Sequence, residues 1–448
     1  MNRIFDRARL EEHDLATQIT LLGFCLCLVI AFLTTSAIAA GDGSRIELWD
    51  TQWILPVDTG QYLDRDIDVY FAKRRQQGFD VIMTGATQFG LRNNAPLLQG
   101  GFPFQSQFVY AYDSSERTPI GDITAPNPAA WDYVGHLIDR AGQQGLAIAL
   151  LPMANGGSAP YVASLQSTNT AFSFGVWLGQ RFADKSNLIW VLGGDVCAVE
   201  QTVLDRTTAL AQGIRAGGAN QPVTAHFGAV GSEPNCDTSG AFFPGQSWLN
   251  FSMLQSTVPS EDEIDTLIRV DVQERNLATG TGETVYEDFS YPNGSVGTPN
   301  NIRHRFFRTI FSGGFYFAYG QAQTMLGCLA DPCLKYGAGS ASGIDYIAAA
   351  KDFLNQRGMT NYEPDSSFIS TRSGKVLPVS RGAQHMVYLA SGASLVLNVG
   401  PALVRTYDLA NDLAFTYPAT ERTDGRPISI STRGVADDAL VTIDPIGP

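Results

Sequence analysis

Two segments of the chain place carboxylates where they could act together. "NLIWVLGGDVC" (187–197) is an apolar run that ends on two glycines and Asp195. "ETVYEDF" (283–289) places Glu283 and Glu287 on one face if it is extended, because side chains alternate along a strand. Two carboxyl groups can break a glycosidic bond: one protonates the leaving oxygen, and the other attacks the anomeric carbon or activates water. We therefore take Asp195, Glu287 and Glu283 as candidate catalytic residues.

Each of these carboxylates also has a structural interpretation. Asp195 could cap the turn or helix that follows it, and either glutamate could form an ion pair with Arg303 or Arg305. If residues 284–289 form the strand, Glu287 lies nearer its C-terminal end, where the catalytic side chains of parallel barrels gather. On this strand geometry we favour Glu287 and keep Glu283 as the rival.

Amide, aromatic and imidazole side chains near the same predicted strand ends suit a sugar, which has a flat apolar face and a hydroxylated edge. Packing inside a loop, or a hydrogen-bonded histidine without a catalytic role, is the alternative for any one of them. The candidate substrate-binding residues are Asn93, Asn94, Phe104, His226, Gln255 and Tyr286.

The elements that must position these residues alternate between short apolar runs and helical stretches, which is the pattern of parallel βα units. Eight such strands predict an α/β fold, a (β/α)8 barrel over residues 41–360, whose βα loops build the site. Residues 361–448 lose the helical periodicity and predict a small antiparallel β-sandwich. The predicted barrel strands are 46–50, 79–85, 146–152, 188–195, 222–228, 249–256, 284–289 and 313–320.

Charge and composition limit the partners. The 448 residues carry a formal net charge of −14, so nucleic acid and anionic membrane surfaces are poor partners. No dinucleotide-binding, phosphate-binding or zinc-protease motif is present, and no serine-hydrolase elbow, so no cofactor is predicted. The predicted partner is a polysaccharide or oligosaccharide substrate.

The first 40 residues predict a targeting segment. Leu21 to Leu33 is an apolar run, and Ala37-Ile38-Ala39 after it fits a cleavage site for a signal peptide. A retained single-pass membrane anchor is the alternative, and it would be the only membrane contact. Either interpretation predicts that the barrel lies outside the cytoplasm, in the periplasm, in the extracellular space or anchored at the membrane.

The four cysteines of the body fit an oxidising compartment. Cys328 and Cys333 could close a small loop, and Cys197 and Cys236 would then pair over a longer one. A zinc site is the rival interpretation, but no paired C-x-x-C or nearby histidine supports it, so no metal is predicted.

Four segments together resemble the apiosidase-like (DUF4038) glycoside hydrolases of family 140. They are "NLIWVLGGD" (187–195), "LNFSMLQS" (249–256), "ETVYED" (283–288) and "RHRFFRTIFSGGFYFAYG" (303–320). The resemblance implies a retaining (β/α)8 hydrolase in which Asp195 is the general acid/base and a glutamate of strand seven the nucleophile. The C-terminal sandwich resembles the collagen-binding type of domain that commonly follows this barrel. One departure is the polar, glycine-rich approach to strand seven, "NLATGTG", where the family usually has proline and apolar residues.

The sequence therefore predicts an exported glycoside hydrolase that cleaves O-glycosidic bonds with two carboxylates. One alternative is a catalytically inactive carbohydrate-binding or scaffold barrel at the cell envelope. Another is a lyase or esterase, for which the sequence offers no better base or nucleophile.

Overall fold

The fold is seen in a computed structural model, which describes part of the chain. The described residues are 41, 43–53, 55, 64–86, 122–153, 158–196, 200–227, 236–256, 264–291, 294–325, 342–412, 414–416, 418–432 and 438–446. Eight parallel strands form the first part. They are β1 (Glu47–Thr51), β2 (Val81–Gly85), β3 (Ala147–Leu151), β4 (Leu188–Val196), β5 (Val223–Phe227), β6 (Ser252–Gln255), β7 (Thr279–Glu283) and β8 (Tyr316–Tyr319).

These strands form a nearly closed barrel. Their order in the sheet is β5-β4-β3-β2-β1-β8-β7-β6, so only β5 and β6 lack a continuous ladder. The backbone N–H of Asn250 donates to the Val223 carbonyl at 2.9 Å, and the Thr224 hydroxyl donates to the Phe251 carbonyl at 2.8 Å. These two bonds hold the free edges side by side, and the predicted barrel is confirmed.

Helices cover the outside of the barrel. They are α1 (Asp64–Gln76), α2 (Pro128–Gln143), α3 (Ser158–Leu165), α4 (Thr168–Phe182), α5 (Gln201–Ala216), α6 (Ser239–Phe242), α7 (Ile264–Arg269), α8 (Pro299–Phe311) and α9 (Gly343–Gln356). Helices α4 and α5, which precede and follow β4, touch through glycines. A Cβ on Gly175 would lie 2.3 Å from the Leu210 carbonyl oxygen, and one on Gly213 would lie 2.2 Å from that of Phe172. The two elements that flank β4 are thus locked to each other.

Strand β7 is where the sequence prediction was wrong. The strand is "TGTGE", residues Thr279–Glu283, and the residues predicted to form it lie in the loop beyond it. Its glycines are required by neighbouring strands: a Cβ on Gly280 would lie 2.4 Å from Tyr316, and one on Gly282 would lie 2.3 Å from the Met253 sulfur. A polar, glycine-rich run therefore forms a fully buried barrel strand, and its last residue is Glu283.

The C-terminal strands form two antiparallel sheets that enclose an apolar core. The strands are β9 (Glu363–Pro364), β10 (Ile369–Ser373), β11 (Val376–Arg381), β12 (Gln384–Leu389), β13 (Ser394–Leu397), β14 (Pro401–Asp408), β15 (Ala419–Asp424), β16 (Ile428–Ser431) and β17 (Ala439–Pro445). One sheet has the order β10-β13-β16 and the other β15-β14-β17-β12-β11-β9. Buried residues such as Val387, Leu397 and Val441 fill the space between the sheets. This agrees with the predicted antiparallel β-sandwich.

A buried ion pair joins helix α8 of the barrel to the sandwich. The guanidinium of Arg303 lies 2.7 Å from a carboxylate oxygen of Asp438, and neither side chain is exposed to more than 1%. The Tyr388 hydroxyl donates to the other oxygen of Asp438 at 3.2 Å, and the Tyr388 ring stacks on Phe307. Burial raises the pKa of Asp438, although the Arg303 charge opposes that effect. The barrel and the sandwich are therefore joined by a buried ion pair in which each charge stabilises the other.

Among the described residues, no helix is both long and apolar enough to cross a bilayer. The predicted targeting segment, residues 1–40, lies outside the described residues.

The Arg303–Asp438 pair predicts a stability change. Replacing Asp438 with alanine leaves a buried guanidinium without its partner, so we expect a loss of about 3–5 kcal/mol of unfolding free energy. Asp424→Ala is the matched control, because its pair with Arg426 is exposed at 68% and 86% and should change stability by less than about 1 kcal/mol. Thermal and urea unfolding measure both, and equal losses would contradict the role given to the buried pair.

Candidate active site

Strand β4 ends in a bulge that exposes Asp195. The pairing with β5 passes from Gly193 opposite His226 to Val196 opposite Phe227, which leaves Gly194 and Asp195 outside the regular register. The φ angles of Gly193, Gly194 and Asp195 are 91°, 141° and 49°, a region that side chains with a Cβ rarely adopt. A bulge at the end of a strand redirects a side chain. The Asp195 side chain is 39% exposed, in contrast to the fully buried strand before it.

Glu283 ends strand β7 and is almost fully buried, with a side chain that is 8% exposed. The Tyr286 hydroxyl donates to its Oε1 in a short hydrogen bond. The Trp53 indole N–H donates in turn to the Tyr286 oxygen at 2.7 Å. Burial and the adjacent Glu283 charge raise the pKa of Tyr286 well above its usual value, so Tyr286 stays protonated and remains a donor.

The Gln255 side chain joins the two carboxylates. Its Nε2 lies 2.8 Å from Asp195 Oδ1 and 2.6 Å from Glu283 Oε2. One oxygen of each carboxylate and one ring nitrogen of His226 lie within 4.8 Å of one another. The neutral amide thus lies between two groups that would repel each other if both were ionised.

His226, on β5, completes the cluster and is fully buried. Its Nδ1 accepts from the Asp195 backbone N–H at 3.4 Å, so the neutral ring carries its hydrogen on Nε2, which lies 3.1 Å from Glu283 Oε2. Burial lowers the pKa of His226, but the hydrogen bond and charge of Glu283, together with the Asp195 charge, outweigh burial and leave that pKa raised. The Trp53 ring packs edge-on against the imidazole, with centroids 5.4 Å apart.

Glu287, the favoured glutamate at the sequence level, is held in a different place. Both of its carboxylate oxygens accept from the backbone N–H of Gly343, at 3.0 and 3.1 Å, and Oε2 accepts from the Tyr319 hydroxyl at 2.7 Å. Its carboxylate therefore caps the first turn of helix α9, where a negative charge is favourable. Burial raises the pKa of Glu287. Glu287 is therefore held by these hydrogen bonds and not by the ion pair with an arginine that was the alternative from the sequence. Arg303, one of the two arginines considered, forms its ion pair with Asp438.

Asp195, His226 and Glu283 lie close enough together to be considered as metal ligands. The carboxylate oxygens that face each other already accept hydrogens from Gln255, and a cation there would have to displace that amide. The donor set is thus committed to hydrogen bonds, and its arrangement suits proton transfer and nucleophilic attack.

The structure brings together five of the residues selected from the sequence. These five are Asp195, His226, Gln255, Glu283 and Tyr286. Trp53 was missed at the sequence level, although its position just after β1 was a signal, because barrel sites are built at strand ends.

Other selected residues lie outside the described part of the chain. They are Asn93, Asn94, Phe104, Cys197, Cys328 and Cys333. Cys236 is described and is disulfide-bonded. The two predicted cysteine pairings therefore stay predictions.

The bulge predicts a strong effect at Gly193. A Cβ there would lie 2.5 Å from the His226 carbonyl oxygen, and φ is 91°. We expect Gly193→Ala to cost about 3 kcal/mol of stability, from the φ penalty together with overpacking. The control is Gly392→Ala, where φ is 71° with no atom within 4 Å of the added Cβ, so only the φ penalty of about 1–2 kcal/mol applies. Thermal unfolding of both variants measures the difference, and equal losses would show that the contact with β5 is unimportant.

The charge of Glu283 predicts the titration of His226. We expect the imidazole of the folded protein to titrate above its usual pKa of 6.5, and Glu283→Gln to lower that pKa. A raised folded pKa stabilises the native state fully below the unfolded pKa, and this contribution is lost as the pH rises through the folded value. NMR titration of the ring resonances measures the shift. A His226 pKa that is unchanged in Glu283→Gln would contradict the contact.

Comparison with known proteins agrees with the barrel fold. The profile of the family described as "Apiosidase-like, catalytic domain" matches residues 42–358. A solved "Glycoside hydrolase" is 20% identical with a TM-score of 0.67, covering 89% of this chain and 92% of its own. A family 5 glycoside hydrolase from Bacteroides vulgatus ATCC 8482 is 19% identical with a TM-score of 0.68, covering 89% of each chain. These two structures are similar in fold, and no curated protein matches the chain. With the family match spanning most of its length, the chain belongs to the apiosidase-like family and is a glycoside hydrolase.

Proposed function

We propose that this protein is an exported hydrolase that cleaves O-glycosidic bonds of a polysaccharide or oligosaccharide with retention of configuration. The observation that carries the proposal is the proximity of Asp195 and Glu283, with oxygens of the two carboxylates within 4.8 Å. Retaining enzymes hold their carboxyl groups about 5–5.5 Å apart, whereas inverting enzymes leave about 6.5–9.5 Å for a water molecule. The short separation favours direct attack by a carboxylate.

The proposed roles follow from the surroundings of each carboxyl group. Glu283 is buried and accepts hydrogen bonds from Tyr286 and Gln255, which stabilise its ionised form and fix its orientation. It is therefore the proposed nucleophile. Asp195 lies at the more exposed rim and is the proposed general acid/base.

The reaction takes two steps. Asp195 gives its proton to the leaving glycosidic oxygen while a Glu283 oxygen bonds to the anomeric carbon, so the glycosidic bond breaks and a glycosyl ester forms. Asp195, now ionised, takes a proton from a water molecule that attacks the same carbon. The ester breaks, and both carboxyl groups return to their starting states. The residues Asn93, Asn94 and Phe104, which follow β2 in the sequence, remain proposed substrate ligands.

Export is proposed from the N-terminal segment and supported by the disulfide at Cys236, because disulfide bonds persist in oxidising compartments. Whether residues 1–40 are removed or retained as an anchor is tested by N-terminal sequencing of the mature protein.

Substitution separates the two glutamates. We expect Glu283→Gln and Asp195→Asn to lower turnover by at least about 1,000-fold, because each removes a group that the chemistry requires. Glu287→Gln should keep most of the turnover and lower thermal stability, because its carboxylate caps helix α9. Release of reducing ends from a glycan panel gives the rates, and thermal unfolding gives the stability.

Glu287→Gln is also the matched control, because it makes the same chemical change in another buried glutamate near the same rim. Loss of turnover in Glu287→Gln with near-normal turnover in Glu283→Gln would reverse the assignment. Undiminished turnover in Asp195→Asn would remove the acid/base role. A wild-type protein that binds glycans and releases no sugar from any of them would favour the scaffold alternative.

A further inference from the structure

Gln255 makes a contact that a substrate ligand would not need. A single nitrogen, Nε2, donates to both carboxylates, at 2.8 Å to Asp195 and 2.6 Å to Glu283. Both partners are carboxyl oxygens that accept, so the –NH2 end of the amide, and not its oxygen, must face them. Both amide hydrogens are thereby used, and Gln255 is 5% exposed. The –NH2 group therefore lies between the two catalytic groups, while Gln255 Oε1 is buried with no hydrogen-bond partner among the described residues.

The amide also determines where the acid proton lies. Oδ1 of Asp195 accepts a hydrogen from Gln255, and an –NH2 group cannot accept one in return. When Asp195 is protonated, its hydrogen must therefore reside on Oδ2. In the same way Oε2 of Glu283 accepts from Gln255, which favours the ionised form that the nucleophile needs.

We propose that Gln255 is a positioning residue that assigns the two protonation states: it keeps Glu283 ionised and directs the Asp195 proton to Oδ2. The inference rests on the proposed function of this site. It changes the role of Gln255 from the substrate ligand expected from sequence to a link between the two carboxylates. It also explains how two carboxyl groups remain within 4.8 Å of each other.

The two steps of the reaction use this link differently. In the free enzyme the amide serves an ionised Glu283 and a protonated Asp195. After attack, Glu283 is a neutral ester and Asp195 carries the charge, so the stronger hydrogen bond passes to Asp195 without movement of the Gln255 main chain. A single rigid donor on β6 thus stabilises whichever carboxylate is ionised.

The groups that surround the pair must be included in any pH test. Among the described residues they are His226 on β5, and Tyr286 and Tyr291 in the segment after β7. Substitution at Gln255 leaves these side chains unchanged, but the pKa of His226 depends on the charge of Glu283, so NMR titration of His226 in the same variant is needed to separate the two effects.

The test is the pH dependence of kcat/KM in Gln255→Met, which keeps the length of the side chain and removes both donors. Because the donors stabilise ionised carboxylates, their loss should move both the acidic and the alkaline limb of the profile to higher pH. The rate at the optimum should fall roughly 10- to 100-fold. Gln321→Met is the matched control, since Gln321 is an equally buried glutamine, 5% exposed, beyond the end of β8. It should leave both limbs in place.

A crystal structure of Gln255→Met tests the inference without any activity. The two carboxylates should move apart, with the more exposed Asp195 displaced, while Gln321→Met keeps the wild-type separation. Gln255→Glu, which keeps the shape and adds a third carboxyl group, gives the same two readouts if the methionine variant does not fold. If both limbs of the pH profile stay in place and the distance between the Asp195 and Glu283 carboxylates is unchanged, the proposed role of Gln255 is overturned. A wild-type protein without glycosidase activity would instead overturn the proposed function, and the crystal structure would still decide the positioning role.

Discussion

The close approach of Asp195 and Glu283 is the constraint that the rest of the site must satisfy. Two unit charges within 4.8 Å repel by at least about 3.5 kcal/mol at an effective dielectric constant of about 20. The protein answers this repulsion with different surroundings for the two groups. Glu283 is buried among hydrogen-bond donors, whereas Asp195 is partly exposed, so the two carboxyl groups differ in the surroundings on which separate acid and nucleophile roles depend.

The backbone at the end of β4 serves the same constraint. Successive positive φ angles at Gly193, Gly194 and Asp195 form a strained bulge, and such conformations persist only where the surrounding structure fixes them. Helices α4 and α5 fix the strand from outside through their glycine contact, and the register with β5 fixes it from the side. The two glycines before Asp195 are thus explained by backbone geometry.

The barrel and the end of β4 could be predicted from the sequence because apolar strands buried on both faces leave a strong pattern. Strand β7 could not be predicted in this way. Its glycines are required because any larger side chain would clash with Tyr316 or Met253, which are distant in sequence. The apolar signal at 284–289 came instead from Val285 and Tyr286, which are buried in a loop. That error shifted the favoured glutamate from Glu283, where the strand ends, to Glu287. The role of Gln255 could not be predicted either, because it depends on the distance between the ends of strands β4 and β7.

The central claim is that Glu283 forms the covalent bond to the sugar. The most direct measurement is to trap the glycosyl-enzyme with a 2-fluoro derivative of a glycoside that the wild-type protein cleaves, and to locate the label by peptide mass spectrometry. The account predicts one sugar per chain, attached to Glu283, and no label in Glu283→Gln. A label on Glu287, or an active enzyme that never accumulates a covalent intermediate, would contradict it.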